Sequence, residues 1–200
     1  MSWWNGISEC YWISSTCVLD WDAASAVATA AGVLAALAAP AVTRIRQRRR
    51  ANALLALSFS GDIAQAWARA ESIARDYPFG LDGPESQAAQ ERFMDESDYR
   101  AQFARSGEPL RVLAQRELDL SKWPQAIDLG VAERVAVAIH AAQRLCVALE
   151  AGSEGSPNAA GWGDFWTHYR RDVDFAVKRL DEAWTTCLRA SRKSRYPAGH

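Results

Sequence analysis

The distribution of apolar and charged residues divides the chain into two parts of different character. Residues 23–43 contain no charged side chain, and eleven of these twenty-one positions are alanine. At ~1.5 Å per residue, a helix of that length spans ~31 Å, about the thickness of the hydrocarbon layer of a bilayer. A soluble helix of five turns normally keeps charged or amide side chains on the face that meets water. The pattern therefore predicts a single transmembrane helix over residues 23–43.

The charges on either side of this segment predict its orientation. Residues 1–43 contain three acidic residues and no Lys or Arg, whereas five arginines follow within seven positions. Because basic residues next to a span stay in the cytoplasm, we expect residues 1–22 to form a short outer tail. A cleaved signal peptide is the alternative, but it needs a basic segment before its apolar stretch.

The arginines themselves form a basic juxtamembrane segment, residues 44–50. Cations beside a span are attracted to anionic lipid by ~1 kcal/mol each, so the position favours membrane lipid over nucleic acid as the partner. The residues predicted to contact lipid headgroups are Arg44, Arg46, Arg48, Arg49 and Arg50.

Small residues recur at four-residue spacing within the predicted span. Such a stripe lets two helix backbones approach closely in lipid and favours association between helices. The members of this stripe are Ala24, Ala28, Gly32 and Ala36. We expect either a homo-oligomer, for which this stripe is the candidate contact, or another protein partner; the alternative for the stripe is that an alanine-rich helix shows the spacing by chance.

Residues 51–191 show helical periodicity throughout, with no run of alternating strand residues. The pattern predicts an all-α protein in which the span is followed by a cytoplasmic antiparallel bundle of about four main helices. The first helix either continues from the span or restarts at Ser60, and it ends near Pro78. The others are predicted at 85–105, 110–118, 131–149 and 164–191, with a flexible linker at 151–158 and a basic flexible tail at 192–200.

The last predicted helix carries apolar residues in alternating steps of three and four, which is the pattern of a packed heptad seam. This seam consists of Trp166, Tyr169, Val173, Ala176, Leu180, Ala183 and Cys187.

Composition indicates the compartment. Arginine outnumbers lysine twenty to three in an alanine-rich chain, which is typical of GC-rich bacterial genomes and predicts a bacterial inner-membrane protein. Cys10 and Cys17 then lie on the oxidising outer side, where they either pair with each other or bridge two copies. Cys146 and Cys187 fit small core residues. Without a CxxC pair, no structural zinc site is expected.

Two groups of residues are candidates for a catalytic or metal-binding site. The spacing of Arg134 and His140 resembles the Arg-x4-6-His signature of HEPN-type RNases, which are helical bundles, but Val135 stands where that family favours a polar residue. Asp164, His168 and Asp172 follow one another at four-residue steps, so they share a helix face and form a possible metal row. The preferred interpretation of both clusters is a solvated helix surface with a partly buried histidine at position 140.

The sequence therefore favours a non-enzymatic interaction or scaffold module anchored in the membrane, with no predicted catalytic, cofactor-binding or metal-binding residue. The alternative hypothesis is a membrane-disrupting or signalling effector whose transmembrane helix oligomerises while the cytoplasmic domain senses. Rapid depolarisation after induced expression is expected only of the effector. An enzyme whose site the sequence does not reveal is the third possibility.

Overall fold

The computed structural model describes residues 21–119, 121, 128–154 and 161–195. Within these ranges 89% of residues are helical and none is in a strand, which confirms the all-α prediction. Cys10 and Cys17 lie outside the described residues. The helices are α1 (Trp21–Asp76), α2 (Pro84–Asp95), α3 (Ser97–Arg105), α4 (Glu108–Ala114), α5 (Leu129–Glu154) and α6 (Trp162–Arg195).

The chain divides into two compact units, Met1–Gln47 and Arg48–His200. The described part of the first unit is the beginning of α1, and every residue from Ser25 to Gln47 is exposed. Thr29 and Thr43 donate their hydroxyl hydrogens to the carbonyls four residues earlier, each at 2.8 Å. Both hydroxyls are therefore bonded within the helix itself. Pro40 lies inside α1 without ending it.

The second unit has one hydrophobic core, to which the remainder of α1 contributes a buried face. Ser60 does not restart the helix, because α1 is continuous and the Ser60 hydroxyl donates to the carbonyl of Leu57 at 3.3 Å. The buried positions recur in steps of three and four, as expected for a helix with one face in a core. They include Leu55, Phe59, Ile63, Ala66, Ala70 and Ile73.

Helices α5 and α6 form the largest packing contact of the second unit, and α5 also packs against α3 and α4. The two helices run in opposite directions, because Arg134 pairs with Glu182 while Arg144, later on α5, pairs with the earlier Asp172. Every residue of the heptad seam predicted for α6 is buried.

The segment 85–105, predicted as one helix, consists of two helices separated at Glu96. The backbone of Glu96 is extended, with φ −102° and ψ 111°. The side chain of Arg100 donates to the carbonyls of Phe93 and Met94 at 2.8 and 2.7 Å, so it satisfies acceptors that the end of α2 leaves without helical donors. This local side-chain cap stabilises the end of α2 at the break.

Other helix ends also differ from the prediction. Helix α4 begins at Glu108, and Pro109 lies in its first turn, where a missing N–H costs nothing. Helix α5 continues to Glu154 and so includes the first residues of the predicted linker. Gly152 is buried there, and a Cβ on it would lie 2.7 Å from the ring of Phe165. Helix α6 reaches Arg195 and so includes the start of the predicted tail.

Candidate membrane and helix-contact surface

The predicted association stripe lies on an open face of α1. Ala24 is partly exposed, and Ala28, Gly32 and Ala36 are exposed. A Cβ built on Gly32 would have no neighbouring atom within 4 Å. Within the described residues of a single chain, the stripe therefore packs against no other element, and its surface is available to a second helix.

The five predicted headgroup-contacting arginines all lie in α1 and are exposed. Since they are nearly consecutive, their side chains are distributed around the helix circumference. None of them pairs with a carboxylate in the described part of the chain. By contrast, the arginines that form ion pairs all belong to the body of the second unit: Arg92, Arg111, Arg116, Arg134, Arg144, Arg170 and Arg179.

Two of the described helices are long and apolar enough to cross a bilayer, by length and composition alone. In α5 the apolar window is half buried, which is the behaviour of a core helix. In α1 the corresponding window is not buried at all. The apolar window of α5 is therefore partly covered by the core, whereas that of α1 has no protein cover among the described residues.

The structure does not bring Arg134 and His140 together as a site. A guanidinium nitrogen of Arg134 lies 2.5 Å from a carboxylate oxygen of Glu182, and Glu182 also accepts from Arg179 at 2.9 Å. These two arginines lower the pKa of Glu182. His140 is exposed, so the expectation that it is partly buried was wrong. Arg134 has a structural role in joining α5 to α6.

The structure likewise does not bring Asp164, His168 and Asp172 together as a metal site, because His168 and Asp172 have other partners. The Nδ1 atom of His168 lies 2.6 Å from the backbone carbonyl of Asp164, whose side chain is not involved. The carboxylate of Asp172 pairs with Arg144 across the helix contact. Among the described residues, no group of three His, Cys, Asp or Glu side chains is arranged to hold a metal ion.

The two described cysteines are buried free thiols. Burial raises the pKa of both Cys146 and Cys187 to about 11. Since the thiolate is the nucleophile and the metal ligand, these side chains are held in their unreactive form near neutral pH. They fill space in the core, as the sequence predicted.

Sequence reasoning missed an aromatic cluster centred on Phe79, which follows α1 in a turn. The side chain is fully buried, and its ring centroid lies 4.6 Å from that of Trp166 and 5.3 Å from that of Phe93. The sequence signal that could have revealed this cluster is the aromatic residue on each side of Pro78, because a solvated loop does not need two aromatic side chains. This cluster joins the end of α1 to α2, α3 and α6.

No family model, curated protein or solved structure matches this chain.

Proposed function

We propose that this protein is a single-pass membrane-anchored helical protein that acts as a non-enzymatic interaction or scaffold module and self-associates through its span. Residues 23–43 form the transmembrane helix, and the second unit forms an antiparallel helical bundle in the bacterial cytoplasm. The observation that carries the proposal is the complete exposure of the apolar segment of α1 in the single chain.

An apolar helix surface of this length needs a covering that water does not provide, because burying apolar area contributes about 25 cal/mol per Å². A bilayer fits in two respects. The uncharged length matches the hydrocarbon thickness, and Thr29 and Thr43 bond within the helix, so they bring no unsatisfied hydroxyl into lipid. The flanking arginines support the orientation with the second unit in the cytoplasm.

The contacts of the described side chains in the second unit support the role of an interaction module. The groups that suggested chemistry have structural partners: Arg134 bonds Glu182, Asp172 pairs with Arg144, and the two thiols are buried. Large apolar side chains nevertheless remain on the surface, among them Val112, Leu129 and Val147. Apolar side chains placed singly are ordinary on a protein surface, so the proposal of an interaction module rests on the exposed apolar segment of α1.

The topology leads to the first prediction. A reporter that functions only in the cytoplasm should be active when fused after His200 and inactive when fused before Met1, because the arginines keep the following domain inside. Reporter activity in membrane fractions is the measurement. The reverse pattern would refute the orientation, and activity of both fusions in the soluble fraction would refute the span.

The second prediction concerns self-association. Gly32→Ile should reduce disulfide cross-linking through Cys17 in membranes several-fold, because a branched side chain separates backbones that Gly32 allows to touch. Helix association in lipid depends on this close packing, with little hydrophobic contribution.

Val33→Ile is the matched control, since it adds apolar volume on an adjacent face where Val33 is already 55% exposed. Its cross-linking yield should equal that of the wild type. Equal yields for all three proteins would show that the stripe is only a product of alanine-rich composition.

A further inference from the structure

Helix α6 packs along the part of α1 that lies in the second unit and runs in the opposite direction. The hydroxyl of Tyr169, early in α6, donates to the carbonyl of Tyr77 just after α1, at 3.3 Å. Farther along α6, the ring of Trp184 stacks on Trp67, with centroids 5.0 Å apart. Because the later residue of α6 meets the earlier residue of α1, the C-terminal end of α6 points toward Arg48.

The remaining helix lengths show how near that end comes. At ~1.5 Å per residue, α1 covers ~26 Å from Trp67 back to Arg50, and α6 covers ~16 Å from Trp184 to Arg195. Helix α6 therefore ends ~10 Å short of the level of Arg50 along the axis. Arg192 and Arg189, earlier on α6, lie ~14 and ~18 Å short of that level, so they lie toward the same end of the unit as Arg50 but more than one Debye length from it.

Five arginines lie at this end of the second unit, and Asp128, which bonds Asn52 next to them, is an acidic residue among them. Arg189 and Arg192 make no ion pair within the described residues, and the chain contains no acidic residue after Glu182. Arg48, Arg49 and Arg50 are also unpaired there. Unpaired arginines therefore outnumber acidic residues at this end, whereas seven arginines elsewhere in the unit pair with carboxylates.

Exposed leucines accompany these cations. The backbone N–H of Asp128 donates to the side chain of Asn52 at 2.8 Å, which places the start of α5 beside α1 near Arg50. Leu129 follows and is 80% exposed, and Leu54 on α1 is 58% exposed. Cations interspersed with exposed apolar side chains are the composition that binds the headgroup and acyl boundary of a membrane.

We infer that this end of the second unit, formed by Arg48, Arg49, Arg50, Arg189 and Arg192 together with Leu54 and Leu129, binds an anionic lipid surface. The inference rests on the proposed membrane anchor, and it adds a second lipid contact from the last helix of the chain. Charge complementarity and position beside the span select anionic lipid as the occupant. As a consequence, this end of the second unit contacts the membrane surface.

The test uses the full chain in nanodiscs, with Cys10→Ser and Cys17→Ser as background so that introduced thiols can be labelled selectively. A fluorophore at Leu129→Cys is compared with one at Val147→Cys, which is 63% exposed but lies ~27 Å farther along α5. The discs contain either phosphatidylcholine alone or a mixture with phosphatidylglycerol, and a quencher is attached to the lipid headgroups.

In phosphatidylglycerol discs we expect several-fold stronger quenching at position 129 than at position 147. The difference should shrink in phosphatidylcholine discs and in the variant Arg189→Gln/Arg192→Gln. The matched control Arg170→Gln/Arg171→Gln removes two charges from the opposite end of α6 and should leave the quenching unchanged.

The inference would be overturned by equal quenching at the two positions. It would also be overturned if the quenching changed neither with lipid charge nor in the variant Arg189→Gln/Arg192→Gln. Failure of the labelled chain to enter nanodiscs at all would instead refute the proposed anchor, so the two failures are distinguishable. An equal loss of quenching with Arg170→Gln/Arg171→Gln would mean that only total charge matters, and would also overturn the inference.

Discussion

Phe79→Ala is expected to lower the free energy of unfolding of the second unit by about 3–5 kcal/mol, the usual range for removing a fully buried aromatic ring. The side chain has no exposed surface, and it forms the centre of the aromatic cluster. Its ring contacts those of Tyr77, Phe93, Tyr99, Phe103, Trp166 and Tyr169. The substitution leaves a cavity against four elements at once, and rigid aromatic neighbours collapse into it poorly.

Chemical denaturation of the full chain in detergent micelles, followed by circular dichroism, measures this loss. Leu81→Ala is the control, because Leu81 lies two residues farther in the same turn and is 45% exposed. Its expected cost is below about 1 kcal/mol, as for most surface substitutions. Similar costs for the two variants would show that Phe79 is not an anchor of the core.

Gly80→Ala, at the neighbouring position, should cost about 2–5 kcal/mol by a different mechanism. Gly80 has φ +74°, a left-handed conformation that costs other residues roughly 1–2 kcal/mol. A Cβ there would also lie 2.6 Å from the backbone oxygen of Trp166 and 2.9 Å from Cβ of Arg170. Since the closest atom is backbone, relief of the clash requires α6 to shift, which adds about 1–3 kcal/mol.

Two other glycines separate these contributions in the same denaturation experiment. Gly83 has φ +132° but open space around it, so Gly83→Ala reports the backbone cost alone. Gly61 lies inside α1 with no atom within 4 Å of a built Cβ, and Gly61→Ala should stabilise the helix by about 0.5–1 kcal/mol. If Gly80→Ala costs no more than the roughly 1–2 kcal/mol of the left-handed conformation, the close approach of α6 to this turn is wrong.

The helices that could be predicted are those whose own periodicity determines which face is buried. The heptad seam of α6 follows from its steps of three and four, and all of its residues are buried in the structure. The positions of the proposed association stripe and of the basic segment on one helix also followed from spacing.

Features that depend on particular side-chain contacts could not be predicted from periodicity. At the break at Glu96, Arg100 donates to two carbonyls that end α2, six and seven residues earlier. The continuation of α5 through Gly152 depends on Phe103 and Phe165 approaching a residue that composition assigns to a linker. Phe79 belongs to no periodic segment, so its place in the core was not visible. The identity of the molecule that binds the candidate surfaces also could not be predicted, because it depends on that second molecule.

The pairing of α1 with α6 has a consequence for how the chain acquires its structure. The hydrogen bond between Tyr169 and Tyr77 joins residues 92 positions apart. During synthesis, the apolar face of α1 is therefore complete long before its partner leaves the ribosome, and contacts that close long loops form late. Early insertion of the proposed span into the bilayer would limit the diffusion of this half-formed core while its exposed face is prone to aggregation. Chains that stop before α6 should accumulate as substrates for proteases and chaperones.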